Sequence, residues 1–323
     1  MTTRYSPISL EGVRTYSLAD RKSKVSIESF ARPWRQGGSF AEFLSALPGV
    51  LAAEDLRAVV DALAGAFRKQ KSVLFGMGAH VTKVGLNPVV IDLMRRGVIT
   101  AVAMNGAGII HDLELAMVGR TSEDVAAALG DGSFGMAAET GAFLSSAVAD
   151  AAAEGLGLGE AVGRNITEAN PPYAAHSILA EGFQRDIPVT VHVAMGTDIL
   201  HMHPQFDPAA AGAASHRDFR ILAGQVAALD GGVYMNVGSA VILPEVFLKA
   251  LTLSRNLGHR IQNLTTVNLD FIRHYRPMTN VVSRPTAEGG RGIAIVGHHE
   301  LLLPLIAAGV IEAIDAKSGR AAV

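Results

Sequence analysis

Residues 98–119, VITAVAMNGAGIIHDLELAMVG, constrain the fold of this chain more than any other stretch. They open with an apolar run over 98–104 that is typical of a buried strand, and they continue with apolar residues spaced as on a helix. Between the two lies a turn of small and polar residues: Asn105, Gly106, Ala107 and Gly108. Such a turn is a ready anion or dinucleotide site, because free backbone N–H groups and the helix dipole point at it. An ordinary strand–helix connection with an acidic first turn explains the same pattern.

The strand–turn–helix pattern also occurs just before this stretch, and strands and helices alternate after it. Six short apolar runs predict strands: 72–75, 98–104, 189–194, 233–237, 264–268 and 293–296. Helical spacing of apolar residues predicts helices: 53–69, 86–96, 109–116, 215–229, 244–256 and about 300–308. Strands that alternate with helices predict an α/β domain with a doubly wound, mostly parallel, Rossmann-like sheet.

Two further regions flank or interrupt this pattern. Residues 1–38 are polar, of mixed charge and interrupted by two prolines, so we expect an irregular N-terminal arm. A single Rossmann-like domain then occupies 39–323. Within it, residues 121–183 are rich in Ala and Gly and predict a helical insertion, with an N-cap at Thr121 or Ser122. This insertion packs on one face of the sheet or forms a subunit contact.

Composition narrows the classes of function. A chain of 323 residues with 49% apolar and 18% charged residues is long and apolar enough to bury a large core. A formal net charge of −2 provides no basic field, so we expect neither nucleic acid nor a membrane as a partner. The chain has no cysteine, which excludes disulfides and thiolate chemistry. Together with the lack of an apolar signal segment, this composition favours a cytoplasmic protein.

The residues that follow the predicted strands form the candidate site, because ligands of parallel sheets gather beyond the carboxyl ends of the strands. Glycines, histidines, hydroxyl groups and acids cluster at these positions. Besides the small-residue turn already described, the candidates are Gly76, Gly78, His80, Lys83, Thr197, Asp198, Ser239, His298 and His299. Small-residue turns suit phosphates, and histidines at the same edge suit proton transfer near neutral pH.

Two histidines at this edge are candidates for catalytic proton transfer. His111 follows the small-residue turn and His201 follows the third predicted strand, and Asp112 or Asp198 would orient them. His201 and His203 are alternatively two metal ligands on one strand face, completed by a nearby carboxylate or histidine. Their spacing matches no recognised metal motif, which favours the interpretation that both are hydrogen-bonded turn residues.

The chain resembles the deoxyhypusine synthase family over about residues 73–308. In that family a Thr-Ala-Gly-Gly turn precedes Glu-Glu-Asp-Leu, where this chain has Ile-His-Asp-Leu soon after its small-residue turn. A family segment of Pro, apolar residues and Asp-Gly-Ser-x-x-Asp-Met matches residues 188–202 without a gap. Near the end of the chain, residues 303–305 match a Phe-Pro-Leu of the family.

The resemblance implies a Rossmann-like sheet that binds NAD, a homotetramer with active sites at subunit interfaces, and an N-terminal arm that can cover a site. It also implies that NAD contacts the strand-end residues, chiefly the turns at 78–83 and 105–108, Thr197 with Asp198, and His298 with His299. In the family, NAD takes a hydride from an amine to give an imine, and a lysine then captures the aminobutyl group.

Departures from the family pattern bear on the reaction. Pro285 replaces the nucleophilic lysine of the family and cannot form the imine that the transfer needs. His201 stands where the family has the acid that holds a polyamine ammonium, and residues 243–245 replace a His-His pair. A second resemblance, to the NAD-dependent ornithine cyclodeaminase domain, rests on an Asn-Ala-x-x-x-His-Asp turn that is similar to residues 105–112. It implies an amino-acid substrate.

The leading hypothesis is therefore an NAD-dependent transferase, lyase or oxidoreductase that acts on a small amine or amino acid by transient hydride transfer and does not make deoxyhypusine. A metal-dependent hydrolase or lyase that uses the edge histidines is one alternative. A non-catalytic, nucleotide-binding homologue is another. The expected partners are a small-molecule substrate and further copies of the chain.

Overall fold

The six predicted strands form one sheet in the computed structural model, which describes residues 4–315. Their bounds are β1 Val73–Met77, β2 Ala101–Asn105, β3 Val189–His192, β4 Val233–Val237, β5 Thr265–Asp270 and β6 Arg291–Val296. All neighbouring strands pair in parallel, in the order β3-β2-β1-β4-β5-β6. The winding reverses between β1 and β4. The predicted doubly wound, Rossmann-like α/β sheet is therefore confirmed.

Helices connect these strands and cover both faces of the sheet. Within residues 4–315 they are α1 Phe40–Ala46, α2 Leu51–Arg68, α3 His80–Lys83, α4 Asn87–Arg95, α5 Gly106–Val118, α6 Val125–Ala128, α7 Ala138–Glu154, α8 Leu158–Ala169, α9 Ile178–Gln184, α10 Pro208–Ala227, α11 Ile242–Asn256, α12 Tyr275–Pro277 and α13 His299–Asp315. Shorter turns are 3-10 at Leu18–Asp20, Ile27–Ser29, Ala174–His176 and Ile199–Met202, and π at Met278–Ser283. Each helix predicted from apolar spacing is present. The helix expected from residue 215 begins earlier, at Pro208, and the last helix continues to Asp315.

Strand β1 shows how the sheet divides the core. Val73, Phe75 and Met77 belong to one hydrophobic cluster and Leu74 to the other, because side chains alternate between the two faces of a strand. Helices α2, α4, α5 and α13 contribute to the first cluster, and α10 and α11 contribute to the second. Since both faces are covered, the strands have the continuous apolar sequence of a parallel sheet.

The outer edge of β3 is covered by α10. Asp218 of α10 accepts the Val191 N–H of the strand at 2.9 Å and the Gly159 N–H at the start of α8 at 3.0 Å. The Ser215 hydroxyl donates to the Val191 carbonyl at 3.0 Å and accepts the Val193 N–H at 3.0 Å. Burial raises the pKa of Asp218 to about 7. These contacts occupy backbone groups that an open edge strand would offer to another chain.

Two predictions of local structure are wrong. The N-cap expected at Thr121 or Ser122 lies at Asp124, whose side chain accepts the N–H groups of Ala126 and Ala127, so the helix starts at Val125. Strand β2 begins at Ala101 rather than at residue 98, because the backbone N–H groups of the two residues after Gly97 turn back to the Leu93 carbonyl.

The predicted arm has little regular structure. Residues 4–38 contain two 3-10 turns, and most of their side chains are exposed. Residues 121–183 hold α6, α7, α8 and most of α9. The first three residues of the predicted arm and residues 316–323 of the predicted domain lie outside the described residues, so the domain bounds stay a prediction. Between residues 4 and 315, no helix is both long and apolar enough to cross a membrane.

Candidate functional site

The small-residue turn at the end of β2 starts α5, as its sequence predicts. The Asn105 side chain accepts the Gly108 N–H at 3.2 Å and so caps the helix. Gly108 has to be small, because a Cβ there would lie 2.9 Å from the Met104 sulfur. Since α5 is 13 residues long, the full helix dipole points at the carboxyl edge of the sheet.

The Asp198 carboxylate lies directly over this turn. A Cβ built on Gly106 would sit 2.0 Å from Asp198 Oδ2, so only glycine allows the contact. Burial raises the pKa of Asp198, and the Thr197 side chain and the Ala107 N–H offset this only in part. Asp198 Oδ2 is buried without a hydrogen-bond partner. The end of β2 therefore carries an acidic group, which the loop after β3 supplies.

At the switch point the ends of β1 and β4 touch. A Cβ on Gly78 would lie 2.2 Å from the Gly238 carbonyl oxygen, so this glycine permits the close approach. His299, at the start of α13, reaches over Gly238 and donates from Nε2 to the Leu269 carbonyl at 3.1 Å. Its ring meets His80 edge to face, with the centroids 5.4 Å apart. Burial lowers the pKa of His299, and its Nδ1 is buried without a partner.

His111 belongs to a hydrogen-bonded relay that the sequence did not reveal. Its Nδ1 lies 2.7 Å from the Thr121 hydroxyl, which donates a 2.5 Å hydrogen bond to Glu114 Oε2. Thr140 donates to the other Glu114 oxygen at 3.4 Å. Burial, and then the charge of Lys83, lower the pKa of His111 to about 4, so the ring is neutral at neutral pH. The three-residue spacing of His111 and Glu114 on one helix was the available signal for this pair.

Asp112 bonds to other elements of the fold and not to His111, so the prediction that it orients His111 is wrong. It is fully buried, and it accepts hydrogen bonds from the Asn87 side chain at 2.9 Å and the Ser177 hydroxyl at 2.5 Å. The N–H groups of the first two residues of α9 add bonds of 2.9 and 3.2 Å. Burial raises the pKa of Asp112 to about 6 against these four hydrogen bonds. Asp112 therefore ties α5 to α4 and to the start of α9.

His201 and His203 have separate partners. His201 Nδ1 accepts the backbone N–H groups of Gly196 at 3.1 Å and Asp198 at 3.3 Å, and its Nε2 is buried without a partner. His203 Nε2 donates to the Gly135 carbonyl at 3.0 Å. Among residues 4–315, no cluster of three or more His, Asp or Glu side chains is placed to hold a metal ion. Within these residues, the metal site proposed at His201 and His203 therefore lacks a third ligand.

The remaining candidates differ in accessibility. Gly76 is buried inside β1, where a Cβ would lie 2.7 Å from the Tyr234 hydroxyl, so it serves packing rather than ligand contact. The Ser239 hydroxyl accepts the Leu243 N–H at 3.2 Å and so holds the start of α11. The exposed candidates are His80, Lys83, Thr197 and His298.

A cavity of about 350 Å³ opens beside the small-residue turn, on the α10 and α11 side of the sheet. His192 lines it and pairs in the sheet with Asn105, so the cavity begins one strand away from the start of α5. Burial lowers the pKa of His192 to about 4. The wall is largely apolar and includes Ala194 and Phe219, with Glu245 beside them. This volume suits a small molecule, since ligand sites span roughly 300–1,000 Å³.

The parallel, doubly wound sheet with polar groups along its carboxyl edge defines a Rossmann-like α/β protein. No family model matches the sequence, and no curated protein sequence matches it. A candidate deoxyhypusine synthase from Entamoeba histolytica matches the structure with a TM-score of 0.52 at 10% identity, over 87% of this chain and 96% of that chain. The chain therefore has the deoxyhypusine synthase-like fold, and the resemblance is confirmed at the level of the fold.

Two larger proteins match part of their length to this chain. AgrE, crystallised in a ternary complex with ornithine and NAD+, matches with a TM-score of 0.50 at 15% identity, over 84% of this chain and 35% of that chain. ArgZ, an arginine dihydrolase from the ornithine-ammonia cycle in cyanobacteria, matches with a TM-score of 0.50 at 16% identity, over 80% of this chain and 31% of that chain. The chain thus spans about a third of the length of each. These identities show a common fold.

Proposed function

We propose that this chain is an NAD-dependent enzyme that acts on a small amine or amino acid by transient hydride transfer. The observation that carries the proposal is Asp198 Oδ2, a buried carboxylate oxygen without a hydrogen-bond partner at the carboxyl end of β2. Rossmann-like domains use an acidic residue at this place to accept a hydrogen bond from a ribose hydroxyl. A ribose would satisfy this oxygen, since an unpaired buried acceptor costs about 1–3 kcal/mol.

The surroundings of Asp198 fit the rest of a dinucleotide. Because Asp198 takes the anion position at the start of α5, this turn suits a ribose rather than a phosphate. The phosphates would lie towards the switch point, where dinucleotides cross Rossmann-like sheets and where His80 and His299 meet. When bound, NAD+ supplies a hydride acceptor. The neighbour AgrE, crystallised with ornithine and NAD+, supports this cofactor and an amino-acid substrate.

His111 is the proposed proton acceptor. Oxidation of an amine to an imine releases a proton together with the hydride, and a neutral imidazole accepts that proton. Burial lowers the pKa of His111 to about 4, so its lone pair is available at neutral pH. The ring is largely buried, which limits its access to water.

The cavity beside Asn105 is the proposed place for the carbon skeleton of the substrate. Its wall is largely apolar, and His192 adds no charge there because burial lowers its pKa to about 4. Deoxyhypusine is not the proposed product. Pro285, at the position of the family lysine, is buried and its carbonyl accepts a 3.2 Å hydrogen bond from Arg255, so it offers no amine to capture an aminobutyl group.

The tetramer with sites at subunit interfaces, and the arm that covers a site, remain predictions from the resemblance. Sedimentation velocity measures the first directly. A single monomeric boundary at the concentration of an activity assay would contradict it.

Two measurements test the proposed function. Calorimetric titration with NAD+ is expected to show saturable binding, and protein that binds no NAD+ overturns the proposal. NAD+-loaded protein is then mixed with small amines and amino acids, including ornithine and arginine, and reduced nicotinamide is followed by its absorbance. We expect a transient signal with at least one compound, and α-deuteration of that compound should slow its rise. His111→Gln is the matched variant, which should bind NAD+ as the parent does and lose the transient.

A further inference from the structure

We propose that His111 and His201 are held in opposite neutral tautomers, so that His111 has a basic Nε2 and His201 has its proton on Nε2. Thr121 and Glu114 are positioning residues for His111. The catalytic use of these tautomers rests on the proposed function, whereas the tautomers themselves follow from hydrogen bonds.

The His111 tautomer follows from the direction of its relay. The single hydroxyl proton of Thr121 is donated to Glu114 Oε2. The Thr121 oxygen then has only lone pairs left for His111 Nδ1 at 2.7 Å, and Nδ1 must carry the proton. A neutral imidazole has one N–H, so Nε2 is left as the acceptor. Glu114 Oε2, 3.9 Å from Nδ1, favours the same arrangement.

The end of α5 places Thr121 beside His111 and Glu114. His111 and Glu114 lie three residues apart and share one side of the helix. Gly119 then adopts a left-handed φ of 67° and turns the chain back, which returns Thr121 to that side. A Cβ on Gly119 would lie 3.1 Å from the Tyr173 ring, so this cap also depends on glycine for space.

The relay stabilises the step in which His111 takes up a proton. The proton moves from an N–H of the substrate to Nε2, and its electron pair stays on the substrate nitrogen. The imidazolium that forms keeps its Nδ1–H bond to Thr121, and the charge of Glu114 lies close enough to stabilise it. Burial disfavours the same cation, so the proton leaves again readily.

The His201 tautomer follows from two backbone donors. The N–H groups of Gly196 and Asp198 both point at His201 Nδ1, and a backbone N–H can only donate. Nδ1 is therefore an acceptor, and the proton of the neutral ring is on Nε2. Nε2 is buried and has no acceptor within the described residues, so this N–H is left without a hydrogen-bond partner. Edge contact with Phe206, centroid to centroid 5.0 Å, holds the ring in place.

Nitrogen-15 NMR of protein labelled at histidine tests the tautomers without any substrate. His111→Gln and His201→Gln assign the two rings. We expect a protonated Nδ1 in His111 and a protonated Nε2 in His201 at neutral pH. Thr121→Val should let His111 populate both tautomers, and Thr121→Ser should restore the single one, which a merely structural role of Thr121 would not produce. A protonated Nε2 in His111, or no effect of Thr121→Val, would overturn the positioning roles.

Calorimetric titration with NAD+ separates this proposal from the proposed function. Protein that binds NAD+ but shows other tautomers refutes the positioning roles and leaves the cofactor proposal unchanged. Protein that shows the expected tautomers but binds no NAD+ refutes the cofactor proposal and leaves the tautomers unchanged.

Discussion

Asp112 offers the sharpest quantitative test of the energetics around α5. It is fully buried, and burial raises its pKa from 3.8 to about 6 although four hydrogen bonds favour the ionised form. The folded state therefore holds the Asp112 proton more tightly than the unfolded chain does. The stability that this proton contributes is complete below pH 3.8 and is lost as the pH rises to about 6.

The magnitude follows from the width of that window. A raised pKa of 2.2 units (6 − 3.8) corresponds to about 3 kcal/mol, since one unit is worth about 1.36 kcal/mol. About 2 kcal/mol of this falls between pH 4 and pH 7. Asp112→Asn cannot titrate and keeps the shape of the side chain. The free energy of unfolding of the parent minus that of the variant should therefore fall by about 2 kcal/mol from pH 4 to pH 7.

Urea unfolding at several pH values measures this difference, because all other titrations cancel between parent and variant. Asp131→Asn serves as a control of opposite sign. Ser133 lowers the pKa of Asp131 by hydrogen bonding, so there the parent should gain on its variant as the pH rises. If the free energies of unfolding of the parent and Asp112→Asn differed by the same amount from pH 4 to pH 7, the argument that burial outweighs the hydrogen bonds in setting the pKa of Asp112 would be refuted.

Three further substitutions test other parts of the structure. Ala194→Phe should fill the cavity, and we expect it to raise the KM of the amine or amino-acid substrate about tenfold or more while NAD+ affinity stays unchanged. An unchanged KM would show that the substrate does not bind in this cavity. Gly119→Ala should lower the free energy of unfolding by about 1–2 kcal/mol, because Gly119 has a φ of 67° and lies close to the Tyr173 ring. As a control, Gly65→Ala lies in open space within α2 and should raise the free energy of unfolding by up to about 1 kcal/mol. Asp218→Ala should lower it by about 2–4 kcal/mol in denaturant melts, because two buried N–H groups lose their acceptor. A loss below 1 kcal/mol would show that water replaces the carboxylate.

Much of the fold could be predicted because the strands and the longer helices have strong local signals. All six strands are short apolar runs, and α2 and α11 have clear helical spacing. The order of the strands had no such signal, since any parallel arrangement gives the same alternation along the chain. The start of α6 was missed because Thr121 and Ser122 have the composition of an N-cap, whereas the left-handed turn after Gly119 assigns that role to Asp124.

The candidate site was only partly predictable, because sequence proximity is a poor guide to direction. Asp112 follows His111 in sequence, yet successive helical residues point about 100° apart, and Asp112 bonds to α4 and α9 instead. Glu114, three residues on, shares the side of the helix with His111. Asp198 is far from the small-residue turn in sequence and reaches Gly106 only through the folding of the loop after β3. Tertiary contacts of this kind leave no local pattern.

Asp198 carries the central claim, and its effect on NAD+ affinity tests that claim most directly. Calorimetric titration compares the parent with Asp198→Asn and with the control Asp207→Asn, an exposed carboxylate that caps α10. We predict about 10–100-fold weaker NAD+ binding for Asp198→Asn, because a hydrogen bond to a charged group is worth about 1.5–3 kcal/mol, and parental affinity for Asp207→Asn. Equal affinity of the parent and Asp198→Asn would contradict the assignment of the ribose to the end of β2.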